Sequence, residues 1–127
     1  MINKLAKEIH QNAIDKGFFE KEKNIGEMLC LIHSEVSEAL EADRKDKYAD
    51  NHYTQEMEAN GYDWQNSEIS FTSSFERNIK NTFEDELADV MIRVMDLAAY
   101  KGIDLEFHIH QKMQYNKTRQ KYHGKKY

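Results

Sequence analysis

The sequence predicts an all-α fold, a bundle of four to five helices, on three observations. The 127 residues contain no Pro and only 5 Gly, so the residues that the turns of a many-stranded sheet need are scarce. Apolar residues recur every three or four positions along most of the chain, the period of a helix face. Capping and stop signals bound these runs.

Helix one is expected from Asn3 to Lys16, with Ile2, Leu5, Ile9 and Ala13 as its stripe and Gly17 as its stop. Asn24 followed by Glu27 resembles a capping box that opens helix two. Its stripe of Ile25, Met28, Ile32, Val36, Ala39 and Leu40 extends to about Lys45. From Lys47 to Thr72 the helical period is lost, and Tyr53, Tyr62, Trp64 and Phe71 are scattered among polar residues, Asn60-Gly61 and Asp63. This stretch reads as an ordered insertion with a short helix around Gln55–Ala59, because a loop that long usually carries function or is disordered. Ser73 with Glu76 is expected to cap helix three, running through Tyr100 to Gly102. Asp104 caps helix four, whose stripe of Leu105, Ile109 and Met113 extends to about Lys117. Such stripes make one bundle domain over residues 1–127, which a partner subunit is expected to complete.

Composition narrows the function classes. An apolar share of 39% beside 32% charged residues suits a globular domain. The single cysteine, Cys30, cannot form an intramolecular disulfide, which points to a reducing cytoplasm. No run reaches the ~20 apolar residues that span a bilayer, and Met1-Ile2-Asn3-Lys4 lacks the basic-then-apolar pattern of a signal peptide. A formal charge of −5 argues against non-specific binding to nucleic acid or to an anionic membrane. The charge is unevenly spread: residues from His108 to Tyr127 include Lys112, Lys117, Arg119, Lys121, Lys125 and Lys126 and no acid. An acidic body with a basic tail suits metal ions and a polyanion, although such a tail also describes a solvated chain end.

The informative feature is where carboxylates fall. Glu35 and Glu38 are three residues apart, so they emerge on one helix face about 60° apart. Met28, Leu31, Ile32, Ala39 and Ala42 surround Glu35 in projection, so both acids are expected to point to the buried side, whereas Glu27 and Glu41 fall off it. Helix three repeats the arrangement with Glu86 and Asp89. Ile79, Phe83, Val90 and Leu97 lie on one flank of Glu86, and Thr82, Asp89, Arg93 and Asp96 form a polar strip on the other. Clustering unpaired carboxylates in an interior forces most of them to take up protons, and a divalent cation removes that penalty. Hard oxygen ligands without Cys or a well-placed His favour Mg²⁺, with Mn²⁺ as substitute, over Zn²⁺. The plainer reading is that each pair is an ordinary set of surface acids; two matching pairs on two helices weigh against it. A di-iron bundle needs Glu-x-x-His, and no Glu here is followed three residues later by His. No Gly-rich loop ending in Lys-Ser/Thr is present, which excludes a P-loop.

The run from Ile32 to Ala42, Ile32-His33-Ser34-Glu35-Val36-Ser37-Glu38-Ala39-Leu40-Glu41-Ala42, resembles the first acidic helix of the MazG-like family, within the all-α nucleoside triphosphate pyrophosphohydrolases. Phe83-Glu84-Asp85-Glu86-Leu87-Ala88-Asp89-Val90 resembles its second. Gly102-Ile103-Asp104-Leu105, then Lys112, Asn116, Arg119 and His123-Gly124-Lys125-Lys126, are similar to its C-terminal portion. The resemblance implies that Glu35, Glu38, Glu86 and Asp89 bind Mg²⁺, and that Lys112, Asn116 and Arg119 contact the substrate phosphates. It also implies a homodimer or a dimer of dimers. One departure is plain: 47 residues separate Glu38 from Glu86, more than in the family, so the insertion at 47–72 is unmatched and substrate choice is open.

The expected activity is hydrolysis between the α- and β-phosphates of a nucleoside triphosphate, giving the monophosphate and pyrophosphate, as in the house-cleaning of non-standard nucleotides. Glu35 or Glu38 would orient or deprotonate the attacking water, and Lys112 and Arg119 would hold the leaving group, unless they are only solvated surface cations. Trp64, Tyr53, Tyr62 and Phe71 would either stack on a base or pack the insertion onto its own domain. His33 is expected near the acids, as a supporting group or an ordinary half-buried histidine, and Asn12 is a further candidate for the pocket. Two other classes stay open: dUTP or phosphoribosyl-ATP hydrolysis, and a non-catalytic helical interaction module whose acids form salt bridges.

Overall fold

The computed structural model describes residues 1–59 and 68–126, with the side chains of 56–59, 68–70 and 123 outside that description. Among the described residues the secondary structure is helical throughout. It comprises α1 (Ile2–Asp15), α2 (Ile25–Arg44), α3 (Asn51–Ala59), α4 (Glu68–Asn78), α5 (Phe83–Tyr100) and α6 (Leu105–Lys117), then a 3₁₀ turn at Lys121–Gly124. None of these helices is long and apolar enough to cross a membrane. The chain divides into a terminal unit, Met1–Ile25 with Val94–Tyr127, and a central unit, Gly26–Arg93.

In the terminal unit α1 packs against α6, and the two helices start side by side. Asp104 caps α6 by accepting from the Phe107 backbone N–H at 2.9 Å, and it also accepts from Asn3 Nδ2 at 2.6 Å. Glu106 receives the chain's amino group at 3.1 Å. Behind these ties Ala6, Met95 and Ala98 are buried. His10 Nδ1 lies 2.7 Å from Asp96 Oδ1, with the Phe19 ring edge-on to the imidazole at 4.6 Å. The ends of α1 and α5 share one geometry. Gly17 and Gly102 adopt φ of +84° and +65°, and the next residue's N–H reaches back to Ala13 and Ala98. A left-handed turn of this kind satisfies the last carbonyls and favours glycine.

In the central unit α2 ends in the same way, but with Asp46 at φ 54°. The connector beyond it docks on the start of α5: Phe83 N–H donates to Lys47 O at 2.9 Å, Ala49 N–H to Glu84 at 2.8 Å, and Tyr48 packs on Phe83 with ring centroids 5.4 Å apart.

Two expectations are corrected here. The insertion is more helical than its period suggests: Asp50 caps α3 by accepting from the His52 N–H at 2.9 Å, so that helix begins at Asn51 rather than near Gln55. Helix three is in fact two helices. α4 already starts at Glu68, so Ser73 and Glu76 lie within it rather than at its cap. It then breaks at Asn81, whose φ is 61°. Asp85 accepts from the Asn81 N–H at 2.8 Å, and Thr82 Oγ1 accepts from the Asp85 N–H at 3.3 Å, two side-chain caps that start α5 afresh.

Candidate metal centre

The cap at Thr82–Asp85 sets the phase of α5 and therefore where its acids point. Glu86 comes on the first turn with 8% of its surface exposed, and Asp89 follows one turn later, half-buried. On α2 the buried positions are Glu35, Ala39 and Ala42, which fall within about 60° of arc. The small alanines allow close approach of another element beside Glu35, itself 6% exposed. Glu35, Glu86 and Asp89 each present one oxygen, and the three oxygens lie within 4.8 Å of one another.

Glu38 does not join them. It is exposed, and the inward orientation expected for it is corrected: the centre of the buried arc lies on the Ala39 side of Glu35, so Glu38 falls on the opposite rim. It still senses the cluster. A hydrogen bond shared with Glu35, reinforced by the Glu35 charge, raises the Glu38 carboxyl above its usual range. Burial is the main cause that raises Glu86, followed by the charges of Glu38, Asp85, Asp89 and Glu35. Burial also raises Asp89, with Asp85 and Glu35 adding to it and Arg93 opposing. These shifts mark negative charge that is only partly compensated.

Arg93 supplies what compensation there is. Its Nε donates to Glu35 Oε1 at 2.5 Å. The polar strip on α5 includes Arg93, but sequence reasoning did not pair it with Glu35. The Asp89-x-x-x-Arg93 spacing puts the guanidinium on the same face of α5 as the acids, but it does not name Glu35 as its partner.

The donor set suits a hard divalent cation. Glu35, Glu86 and Asp89, whose three oxygens lie within 4.8 Å of one another, would hold such an ion, which favours carboxylate oxygens.

Lys112, Asn116 and Arg119 belong to the terminal unit, on α6 and just beyond it. There two cations approach the Tyr115 ring, Lys112 Nζ at 5.1 Å and Arg119 Cζ at 5.7 Å from its centroid; the first is missed in the sequence although its i−3 spacing on α6 announces it. Asn116 Oδ1 is buried and has no hydrogen-bond partner among the described residues. His33 is exposed, which corrects its reading as an ordinary half-buried histidine, and Asn12 is exposed on α1. Phe71 packs on Phe75, one turn further along α4, with ring centroids 5.9 Å apart. Asn60-Gly61, Tyr62, Asp63 and Trp64 lie outside the described residues. No protein-family model, no curated protein and no solved structure matches this chain.

Proposed function

We propose that the protein is a Mg²⁺-dependent nucleoside triphosphate pyrophosphohydrolase of the MazG-like type, cleaving between the α- and β-phosphates to release pyrophosphate. The observation that carries this reading is the convergence of Glu35 with Glu86 and Asp89 from two helices onto one buried locus. The sequence resemblance supplies the reaction class. Glu35, Glu86 and Asp89 would hold the ion, whose chemistry when bound is to neutralise phosphate charge and lower the pKa of water. Glu38, exposed at the rim and with its carboxyl held above the usual range, is suited to orient the attacking water and accept its proton. Lys112, Asn116 and Arg119 are assigned to the substrate phosphates, where Arg can bind bidentately.

In this reading the protein works in the cytoplasm, on a free nucleotide rather than a polymer or membrane, and as a homodimer or dimer of dimers. Exposed Leu29, Val36 and Leu40 form a stripe along α2 that suits a second copy. The substrate is a canonical or non-standard triphosphate, and dUTP and phosphoribosyl-ATP belong in the same test. Incubating the purified protein with a panel of such nucleotides, with products identified by phosphorus NMR, is the experiment. Pyrophosphate release from one member, abolished in Glu86→Gln and Asp89→Asn, is the expected result. Activity surviving both substitutions refutes the site.

The Arg93–Glu35 ion pair favours a second reading, a non-catalytic helical module whose acids serve in salt bridges. That reading requires no Mg²⁺ binding at all.

A further inference from the structure

Glu35 Oε1 is already engaged, by the Nε of Arg93 at 2.5 Å. The two partners are unequally placed: the Glu35 side chain is 8% exposed and that of Arg93 39%. The carboxylate is fixed in the interior, whereas the guanidinium reaches in from the wet side and can leave by rotating about its own side-chain bonds. Among the described residues the pair is joined through Nε only, not through the two-pronged fork that makes arginine–carboxylate pairs strong. Arg93 stands one turn beyond Asp89 and about two beyond Glu86 on α5, and its charge is permanent. A divalent ion drawing on Glu35 at that oxygen meets this fixed positive charge where water screens it poorly, and two cations on one oxygen repel.

We propose that Arg93 is the resident counter-ion of the acid cluster, holding Glu35 in the metal-free protein and surrendering that oxygen to an incoming divalent cation. The inference rests on the metal-binding reading above and adds two things to it. Arg93 makes buried Glu35 tolerable without a metal, and its charge opposes the cation that displaces it. Arg93 is on this account a positioning residue, and Glu35 Oε1 alternates between Arg93 and the metal ion.

The test uses the full chain with Mg²⁺ as the probe. In nitrogen–proton spectra of the wild-type protein the Arg93 Nε–H signal, assigned by its loss in Arg93→Met, is expected to be protected from exchange without metal. Mg²⁺ should remove that protection in step with the backbone shifts around Glu86. By calorimetry Arg93→Met is expected to bind Mg²⁺ about tenfold more tightly than wild type, the repulsion being gone. Arg93→Lys, which keeps the charge, should stay within about threefold of wild type. An Nε–H that stays protected while Mg²⁺ binds overturns the proposal and leaves the metal site standing, as does Arg93→Met binding no more tightly than wild type. Absence of Mg²⁺ binding in both proteins overturns the metal reading and the proposal together.

Discussion

The backbone N–H of Asn81 donates to the Asp85 carboxylate at 2.8 Å, and this bond closes the turn at which α4 ends and α5 begins. Asn81 is in the left-handed region, φ 61°, where Asn and Gly are tolerated far better than residues with larger side chains. Because Glu86 follows Asp85 directly, the turn that breaks the long helix also aims the first of the two clustered acids of α5.

Asp85→Ala is therefore expected to cost about 1 kcal/mol of stability, the usual penalty for losing a cap. Asn81→Ala should cost a similar ~1 kcal/mol through its backbone conformation, while Asn81→Gly should be neutral or slightly stabilising. Urea unfolding of the three variants reads this directly. Wild-type stability in Asp85→Ala would remove the turn from the account.

Stability in the presence and absence of Mg²⁺ should separate with pH. Glu86 and Asp89 are raised in the folded protein above their ordinary 4.5 and 3.8, chiefly by burial. Groups raised in this way bind protons more tightly when folded, so their stabilisation is complete below those ordinary values and is lost as pH rises through the folded ones. Mg²⁺ needs the ionised carboxylates and offsets that loss. The Mg²⁺-induced rise in Tm should accordingly be larger at about pH 7 than at about pH 5, and the pH effect should shrink in Glu86→Gln. An equal rise at both pH values would contradict this.

Kinetics should divide the acids from the cations. With Glu38 outside the buried cluster but beside it, Glu38→Gln is expected to lower kcat by about 10²-fold or more with little change in KM, the pattern of a lost general base. Lys112→Ala and Arg119→Ala should instead raise KM. Steady-state pyrophosphate release from the best substrate measures both. A Glu38→Gln enzyme with wild-type kcat would leave the proton acceptor to another group.

Association should depend on α2. Leu29, Val36 and Leu40 are exposed and, at spacings of seven and four residues, share one side of the helix. Val36→Lys and Leu40→Lys are expected to shift the protein from dimer to monomer in sedimentation velocity runs. A monomeric wild type would contradict the second copy.

Much of this was legible in the sequence, for reasons that differ by element. Gly17 and Asp104 announced the end of α1 and the start of α6, because a left-handed stop and a side-chain cap are local devices. The inward turn of Glu35 and Glu86 followed from their apolar neighbours. Glu38 was misplaced because a face is an arc with edges, and three residues of separation carried it across one. The break at Asn81 was missed because Ile79, Phe83 and Val90 continue the helical period through it, and periodicity does not register one left-handed residue. Asp50 was passed over as one polar residue among many, although it caps α3. The Arg93–Glu35 pair joins residues 58 positions apart, and no local pattern encodes a contact between helices.

Isothermal titration of Mg²⁺ into the metal-free protein tests the central claim most directly, alongside Glu86→Gln and Asp89→Asn. The account predicts saturable binding to the wild type, weakened about tenfold or more in each variant, the loss of one charged ligand being worth at least ~1.4 kcal/mol. Heats no larger than dilution for the wild type, or an isotherm unchanged by both substitutions, would contradict it.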